Sequence, residues 1–250
     1  MRNRALCVIA VFGAVILTPL LARAQDSPAP AEPPRHISTF ARTIAGDLKS
    51  MASKDNGAVL SSSIALALLA YPFDKTLTVR ASSSTFLKTS FEGWARIAGQ
   101  EWFFASGAAA AYTYGRVFDD ARAAAVGADL IEAEIVAGMT THALKYATQR
   151  PRPDGEEFSF PSGHAAGSFA MATVLQRHYG VKAAVPAYAF ATLISGARLQ
   201  ANSHYPTDII AGAAVGILSG RAATFELGPH HVRLSPAVGA KSVGISGSIH

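Results

Sequence analysis

Three short clusters in the C-terminal half of the sequence carry residue types that can hold and cleave a phosphate ester. The first is Lys145-Tyr-Ala-Thr-Gln-Arg150-Pro151-Arg152-Pro153 and the second is Phe160-Pro161-Ser162-Gly163-His164. The third runs from Arg198 through His204 to Asp208. If the clusters converge in space, Lys145, Arg152 and Arg198 surround one point with cationic donors. Guanidinium groups bind phosphate oxygens through paired, charge-assisted hydrogen bonds, and a lysine adds a compact point charge. The Pro-Ser-Gly turn opens a helix, so its free N–H groups, the Ser162 hydroxyl and the helix dipole all favour an anion, while Gly163 lets the backbone come close. His204 and Asp208 are separated by one helical turn, with Pro206 suited to the first turn of the helix that starts there. A carboxylate on one imidazole nitrogen fixes the tautomer and leaves the other nitrogen free. His164 supplies a second imidazole, so one ring can attack phosphorus while the other protonates the departing oxygen.

Each cluster alone has a structural explanation. An Arg-Pro loop is ordinary solvated surface, Ser162 is a preferred helix N-cap, and Asp208 suits a capping turn. Their joint occurrence, in this order and at these spacings, argues for function.

The elements that must position these residues are helical. Apolar periodicity and long Ala-rich stretches predict helices over roughly 36–52, 57–71, 97–115, 119–148, 163–179, 183–200 and 207–225, punctuated by Pro72, Pro151, Pro153, Pro161 and Pro206. The clusters therefore fall at helix ends. Gly212, Gly216 and Gly220 recur at every fourth residue and give one helix face where a neighbour can approach closely. Past Gly228, apolar residues from Val232 to Ile249 alternate with small or polar ones, which suits short strands or an irregular tail. Residues 57–73 and 97–115 are the best candidates to cross a membrane. However, the first is short, the second contains Glu101, and 122–144 carries three carboxylates. A water-soluble bundle is the expectation, with a polytopic membrane protein as the alternative.

The first 24 residues read as an export signal: Arg2 and Arg4, an apolar run from Ala5 to Leu21, then Ala22-Arg23-Ala24. Residues 25–35 form a Pro-rich linker, 36–226 the main domain and 227–250 the tail. The protein is thus expected outside the cytoplasm, periplasmic and soluble, or else in a membrane with its site facing the periplasm. Of the 22 basic residues three lie in the leader, leaving 19 against 17 acidic ones, a balance too even for a nucleic-acid partner. Cys7, the single cysteine, lies in the leader, so disulfides and thiol chemistry are excluded from the remainder. The other histidines, His36, His142, His178, His230, His231 and His250, have no carboxylate at diagnostic spacing and read as surface or tail residues, so no metal site is expected. Trp94, Trp102 and Phe103 read as core.

Taken together, the three clusters resemble the signature of the type 2 phosphatidic acid phosphatase (PAP2) superfamily, which includes lipid phosphate phosphatases, bacterial acid phosphatases and vanadium haloperoxidases. The family pattern is Lys-x6-Arg-Pro, then Pro-Ser-Gly-His, then Ser-Arg-x5-His-x3-Asp. Lys145 and Arg152-Pro153 fit its first part, whereas Arg150-Pro151 does not fit the six-residue gap. Residues 161–164 match the second part, and Arg198, His204 and Asp208 the third, with Ala197 where the family usually has Ser. The resemblance implies an all-α bundle of the PAP2/haloperoxidase type and hydrolysis of phosphate monoesters or terminal lipid phosphates without metal or other cofactor. It implies His204 as the nucleophile that becomes a phosphohistidine, Asp208 as its orienting partner and His164 as general acid. Lys145, Arg152, Ser162, Gly163 and Arg198 would then hold the phosphate oxygens. The stretch Phe158-Ser-Phe-Pro-Ser-Gly-His is similar to the lipid-phosphatase branch, since the acid phosphatases commonly carry Tyr before the Pro. The substrate is accordingly a phosphorylated lipid or small molecule, with membrane contact an open alternative. Two other readings share the pocket: a haloperoxidase with vanadate as cofactor rather than inhibitor, and a catalytically silent phosphate-binding protein.

Overall fold

A computed structural model describes residues 37–84, 91–224, 232–239 and 242–249. The export signal and the Pro-rich linker lie outside the described residues. Nine helices are described: α1 Ile37–Met51, α2 Gly57–Ala70, α3 Asp74–Ser82, α4 Phe91–Ala98, α5 Glu101–Val117, α6 Ala121–Thr148, α7 Gly163–Tyr179, α8 Val181–Gln200 and α9 Pro206–Ala223. The tail forms an antiparallel hairpin of β1 Val232–Gly239 and β2 Ser242–Ile249, pairing Val232 with Ile249 and Val238 with Val243. The expected all-α architecture is therefore present, with strands confined to the tail.

Helix α9 is the centre of the bundle. Almost every residue from Pro206 to Ala223 is buried, and α7, α6, α2 and α1 pack around it. Its glycine face lies directly on α7: a Cβ at Gly216 would sit 2.2 Å from the Ala166 carbonyl oxygen and 2.8 Å from the Ala170 nitrogen. Only the absence of a side chain lets the two backbones come that close. This contact brings Ser162 at the start of α7 beside Asp208 at the start of α9, and the Ser162 N–H donates to the Asp208 backbone oxygen at 2.9 Å.

Helices α3 and α4 lie outside the helices expected from the sequence, apart from residues 97–98. The α3 segment, DKTLTVRAS, has no apolar run and is held by tertiary contacts with α8 and α9. The α4 segment is eight residues long, too short to be stable alone, and packs on α8 through Ala95 and Ala98 against Ile194 and Ala197. The predicted helix over 97–115 is thus divided, with α4 ending before Gly99 and α5 beginning at Glu101. This overturns the reading of the tryptophans as core. Since α4 buries its alanines, Trp94 on another face is 47% exposed and touches Phe190 edge-on, and Trp102 is 60% exposed.

Helix α2, a 3₁₀ turn over Tyr71–Phe73 and α3 form one continuous run, Gly57–Ser82, which is long and apolar enough to cross a membrane. Its large side chains are mostly uncovered: Ile64, Leu68, Leu69, Tyr71 and Phe73 are all exposed. Val181, Val185 and Leu193 on α8 and Tyr114, Val117 and Phe118 at the end of α5 are exposed as well.

Candidate functional site

The last turn of α6 delivers Lys145, and Gln149 then ends the helix in a left-handed conformation (φ 46°), its N–H bonded to the Lys145 oxygen. A side chain there costs about 1–2 kcal/mol relative to glycine, and it turns the chain sharply into the Arg150–Arg152 loop. Ser162 caps α7, its hydroxyl oxygen accepting from the Ala165 N–H at 3.4 Å. Helix α8 ends beyond Arg198, and Asn202 (φ 57°) reverses the chain toward His204. Asn tolerates that region better than most residues. As the sequence predicts, Pro206 starts α9 and Asp208 lies in its first turn, accepting from the Tyr205 N–H at 2.8 Å.

These ends converge. Arg152 and Arg198 line one cavity of about 370 Å³ together with Arg96, Asp154, Glu156 and Ser203. His164, at the first turn of α7, has its Nε2 3.4 Å from the Arg96 carbonyl oxygen. It is close enough to Arg198, His204 and Arg152 for all three to act on its charge. Lys145 approaches the same group, with its Nζ donating to the Phe158 carbonyl oxygen at 2.5 Å and its charge felt by His204. Arg152 also pairs with Glu156 at 2.5 Å. His204 is 2% exposed and Arg198 is 9% exposed. Ser162 and Gly163 differ from expectation in detail. Ser162 is fully buried with its hydroxyl directed at its own helix. A Cβ at Gly163 would meet nothing closer than 3.6 Å, so no steric demand for glycine is visible there. Gly99 is the tighter position: a Cβ would lie 2.3 Å from Cδ2 of His164, so the α4–α5 junction backs that ring.

Asp208 is completely buried. Its Oδ1 accepts from Arg150 Nη1 at 2.7 Å, and its Oδ2 accepts from the Ser159 hydroxyl and the Tyr205 N–H. Nδ1 of His204 stands 3.7 Å from that Oδ2, an ion-pair distance beyond good hydrogen-bond reach, and has no other partner. Such contacts are often long in an empty site and tighten when it fills. Burial alone would raise the Asp208 carboxyl. The nearby His204 ring, donation from Ser159 and Tyr205, and the Arg150 charge together outweigh burial and hold it below the usual carboxylate range. Burial lowers His204, against the pull of Asp208 and with help from Lys145 and Arg198, so the ring is neutral with a free lone pair. Burial and the neighbouring Arg152 lower Lys145 to about 8, partly offset by Asp208 and Glu101. Burial lowers His164 to about 3, reinforced by Arg198, His204 and Arg152, while the Arg96 carbonyl pulls the other way.

Sequence reasoning missed three residues of this network. Arg150 was set aside as failing the motif gap, yet it bonds Asp208, Thr207 and Asp74. Asp74 is buried and also accepts from the Thr207 N–H at 3.1 Å, 133 residues along the chain. Ser159 carries no sequence signal. The surface reading of His178 needs correction: it is buried and bonded to Asp129 at 2.8 Å across the α6–α7 interface. His142 is exposed, as expected, but has a carboxylate neighbour, Glu101, at 3.4 Å. Both partners come from other helices, so spacing could not reveal them. His36, His230, His231 and His250 lie outside the described residues. Among the described residues, no three His, Cys, Asp or Glu side chains are grouped to hold a metal ion.

Among curated proteins, the chain is 40% identical over 96 residues to a lipid A 1-phosphatase of Porphyromonas gingivalis. That match takes in 37% of this chain and 21% of the relative, so the chain accounts for about a fifth of the relative's length. Among solved structures, the crystal structure of Aquifex aeolicus LpxE superposes with a TM-score of 0.52 at 23% identity, covering 60% of this chain and 94% of that one. That likeness establishes the shared helical fold. A family model described as the PAP2 superfamily matches residues 127–225, a segment that contains all three motif clusters and runs from within α6 to just past α9. Over those residues the chain is similar to the PAP2 superfamily.

Proposed function

We propose that this chain is a phosphatase that removes phosphate from a lipid or other phosphoester through a phosphohistidine on His204. The observation that carries the reading is the fully buried Asp208, whose Oδ2 stands 3.7 Å from Nδ1 of the buried His204, with Lys145, Arg198 and a second imidazole gathered around the same pair. A neutral imidazole with one nitrogen turned to a carboxylate is a competent nucleophile, and the positive charge it gains on attack is stabilised by that carboxylate. Arg152 and Arg198 would hold the phosphoryl oxygens as charge builds on them. His164 would protonate the leaving oxygen.

A lipid-borne phosphate is favoured by the position of Asp74. This residue directly follows the exposed apolar stretch 57–73 and bonds Arg150 and Thr207, both of which sit behind Asp208. The site is therefore tied directly to the run that is able to cross a membrane, which suits a phosphate presented at a bilayer. Burying an exposed Leu or Ile in hydrocarbon is worth about 1.5–3 kcal/mol each, and the uncovered Ile64, Leu68, Leu69, Val185 and Leu193 make a bilayer the suitable surroundings. This supports the membrane alternative over the water-soluble bundle. The name of the P. gingivalis relative points the same way. The leader pattern supports a site outside the cytoplasm.

The test is phosphate release from phosphatidic acid, isoprenyl pyrophosphate, lipid A and p-nitrophenyl phosphate, with and without detergent, in the presence of EDTA. Turnover should favour the lipids, be unchanged by EDTA and be inhibited competitively by vanadate at about micromolar concentration, because a trigonal-bipyramidal oxyanion resembles the transition state. Loss of activity on chelation would assign the chemistry to a metal. No turnover with any substrate would leave a binding protein.

A second expectation concerns the proton. With its pKa near 3, His164 is neutral in the empty site and has no proton to give. A bound dianion between Arg152, Arg198 and the two imidazoles reverses the local charge and raises it. Binding of tungstate, which stays a dianion across the neutral range, should therefore take up close to one proton and tighten as pH falls through the bound-state pKa. Titration calorimetry in buffers of different ionisation enthalpy measures this. The uptake should vanish in His164→Asn, and equal uptake in that variant would move the acid role elsewhere.

A further inference from the structure

Arg150 lies outside the family motif, and the proposed chemistry gives it no part. Its guanidinium nevertheless makes four directed contacts. Nη1 donates to Asp208 Oδ1 at 2.7 Å and to the Thr207 hydroxyl at 2.7 Å, and Nη2 donates to Asp74 Oδ2 at 2.7 Å. Its Cζ stands 4.2 Å from the centroid of the Tyr205 ring, a cation–π contact. Unlike Arg152 and Arg198, Arg150 does not line the cavity. Its donors are turned to two carboxylates and a hydroxyl, not to a bound phosphate.

We propose that Arg150, braced by Asp74, is a positioning residue that sets the rotation and ionisation of Asp208 so that its second oxygen faces His204. The inference rests on the reading of His204 as nucleophile. A carboxylate can turn about its last bond, which is a soft torsion. With Oδ1 pinned by Arg150, Oδ2 is left for Ser159, Tyr205 N–H and the imidazole. Charge balance points the same way. Asp74, Arg150 and Asp208 together carry one negative charge beside a neutral ring, and the positive charge that His204 gains on attack cancels it. Without Arg150 the buried Asp208 loses the cation bonded to its Oδ1, and protonation of Asp208 or of His204 becomes favourable at higher pH. Lys145 from α6, His164 from α7 and Arg198 from α8 also face His204, and they are unchanged by that substitution.

The experiment compares Arg150→Met and Arg150→Lys with the wild type and His204→Ala, using phosphate release from p-nitrophenyl phosphate and from dispersed phosphatidic acid across pH. Arg150→Met should lower kcat about a hundredfold, the scale of a small misplacement at a reacting centre. Its KM should stay within about threefold, because the residue does not touch substrate. The acidic limb of kcat/KM should move to higher pH. Arg150→Lys, which keeps the charge but cannot span both carboxylates, should recover about tenfold and return the limb toward the wild-type position. Wild-type kcat and an unmoved limb in Arg150→Met, with His204→Ala inactive, would overturn this role and leave the nucleophile standing. A loss confined to KM would do the same. Full activity in His204→Ala would overturn both. If Arg150→Met fails to fold, Arg150→Lys decides: a several-fold loss of kcat is expected, and wild-type kcat would refute the role.

Discussion

His204→Ala should abolish phosphate release, with a loss of about four orders of magnitude or more, while the protein remains folded. Removing the nucleophile of a covalent mechanism leaves only the contribution of binding and oxyanion stabilisation, which accounts for the scale. Retention of fold follows from the position of the residue. His204 lies in the turn between α8 and α9, not in the packed face of α9, and its Nδ1 makes no short hydrogen bond whose loss would strand a buried partner. Vanadate should still bind to His204→Ala through Arg152 and Arg198, only more weakly, which separates loss of chemistry from loss of the pocket. The phosphoenzyme itself is accessible: acid-labile, base-stable label from a ³²P-labelled substrate should appear on the wild type after rapid quench and be absent from the variant. Residual turnover within a hundredfold of wild type would assign the attack to another group, with His164 the first to examine.

Asp208→Asn should reduce kcat by about three to four orders of magnitude, the loss seen when the carboxylate that orients a catalytic imidazole becomes an amide. Two physical effects combine. The amide cannot stabilise the positive ring, and its N–H₂ would face Arg150, Ser159 or the Tyr205 N–H, every one of which is now a donor. Breaking a buried pair typically costs about 3–5 kcal/mol. Asp74 still accepts from Arg150, so the lower end is expected, visible as a clear fall in melting temperature. Activity and stability thus drop together here, whereas in His204→Ala activity falls with little change in stability. A folded Asp208→Asn with near-wild-type kcat would remove Asp208 from the mechanism.

Much of the candidate site and part of the fold were legible in the sequence. Lys145, Arg152, His164, Arg198, His204 and Asp208 were readable because their residue types and separations lie within single short clusters. The helices that deliver them were readable because α6, α7, α8 and α9 are long and compositionally uniform. Helices α3 and α4 were not read from the sequence: α3 is nine residues long with no apolar periodicity, and the apolar spacing of α4 spans only eight residues, too short to stand alone. The hairpin of the tail was foreshadowed by alternation of apolar with small residues.

Other features had no sequence signal because they depend on partners far away in the chain. Arg150 looked redundant beside Arg152; what separates them is that one is turned to Asp74 and Asp208 and the other to the cavity. Trp94 and Trp102 looked like core by type and spacing, but the face a helix buries depends on its neighbour, and α8 accepts the small Ala95 and Ala98 instead.

By itself, the sequence determined the chemistry available to this protein: three cations, two imidazoles and a carboxylate at helix ends, in a chain made largely of helices. The tertiary structure alone decided how that chemistry is tuned. Burial makes His204 neutral and lowers His164, and the close packing of α7 on α9, allowed by Gly216, seats Ser162 against Asp208. The physical reason is that residue type sets which protons and charges are possible, whereas pKa, orientation and access depend on desolvation and on neighbours brought in from distant helices.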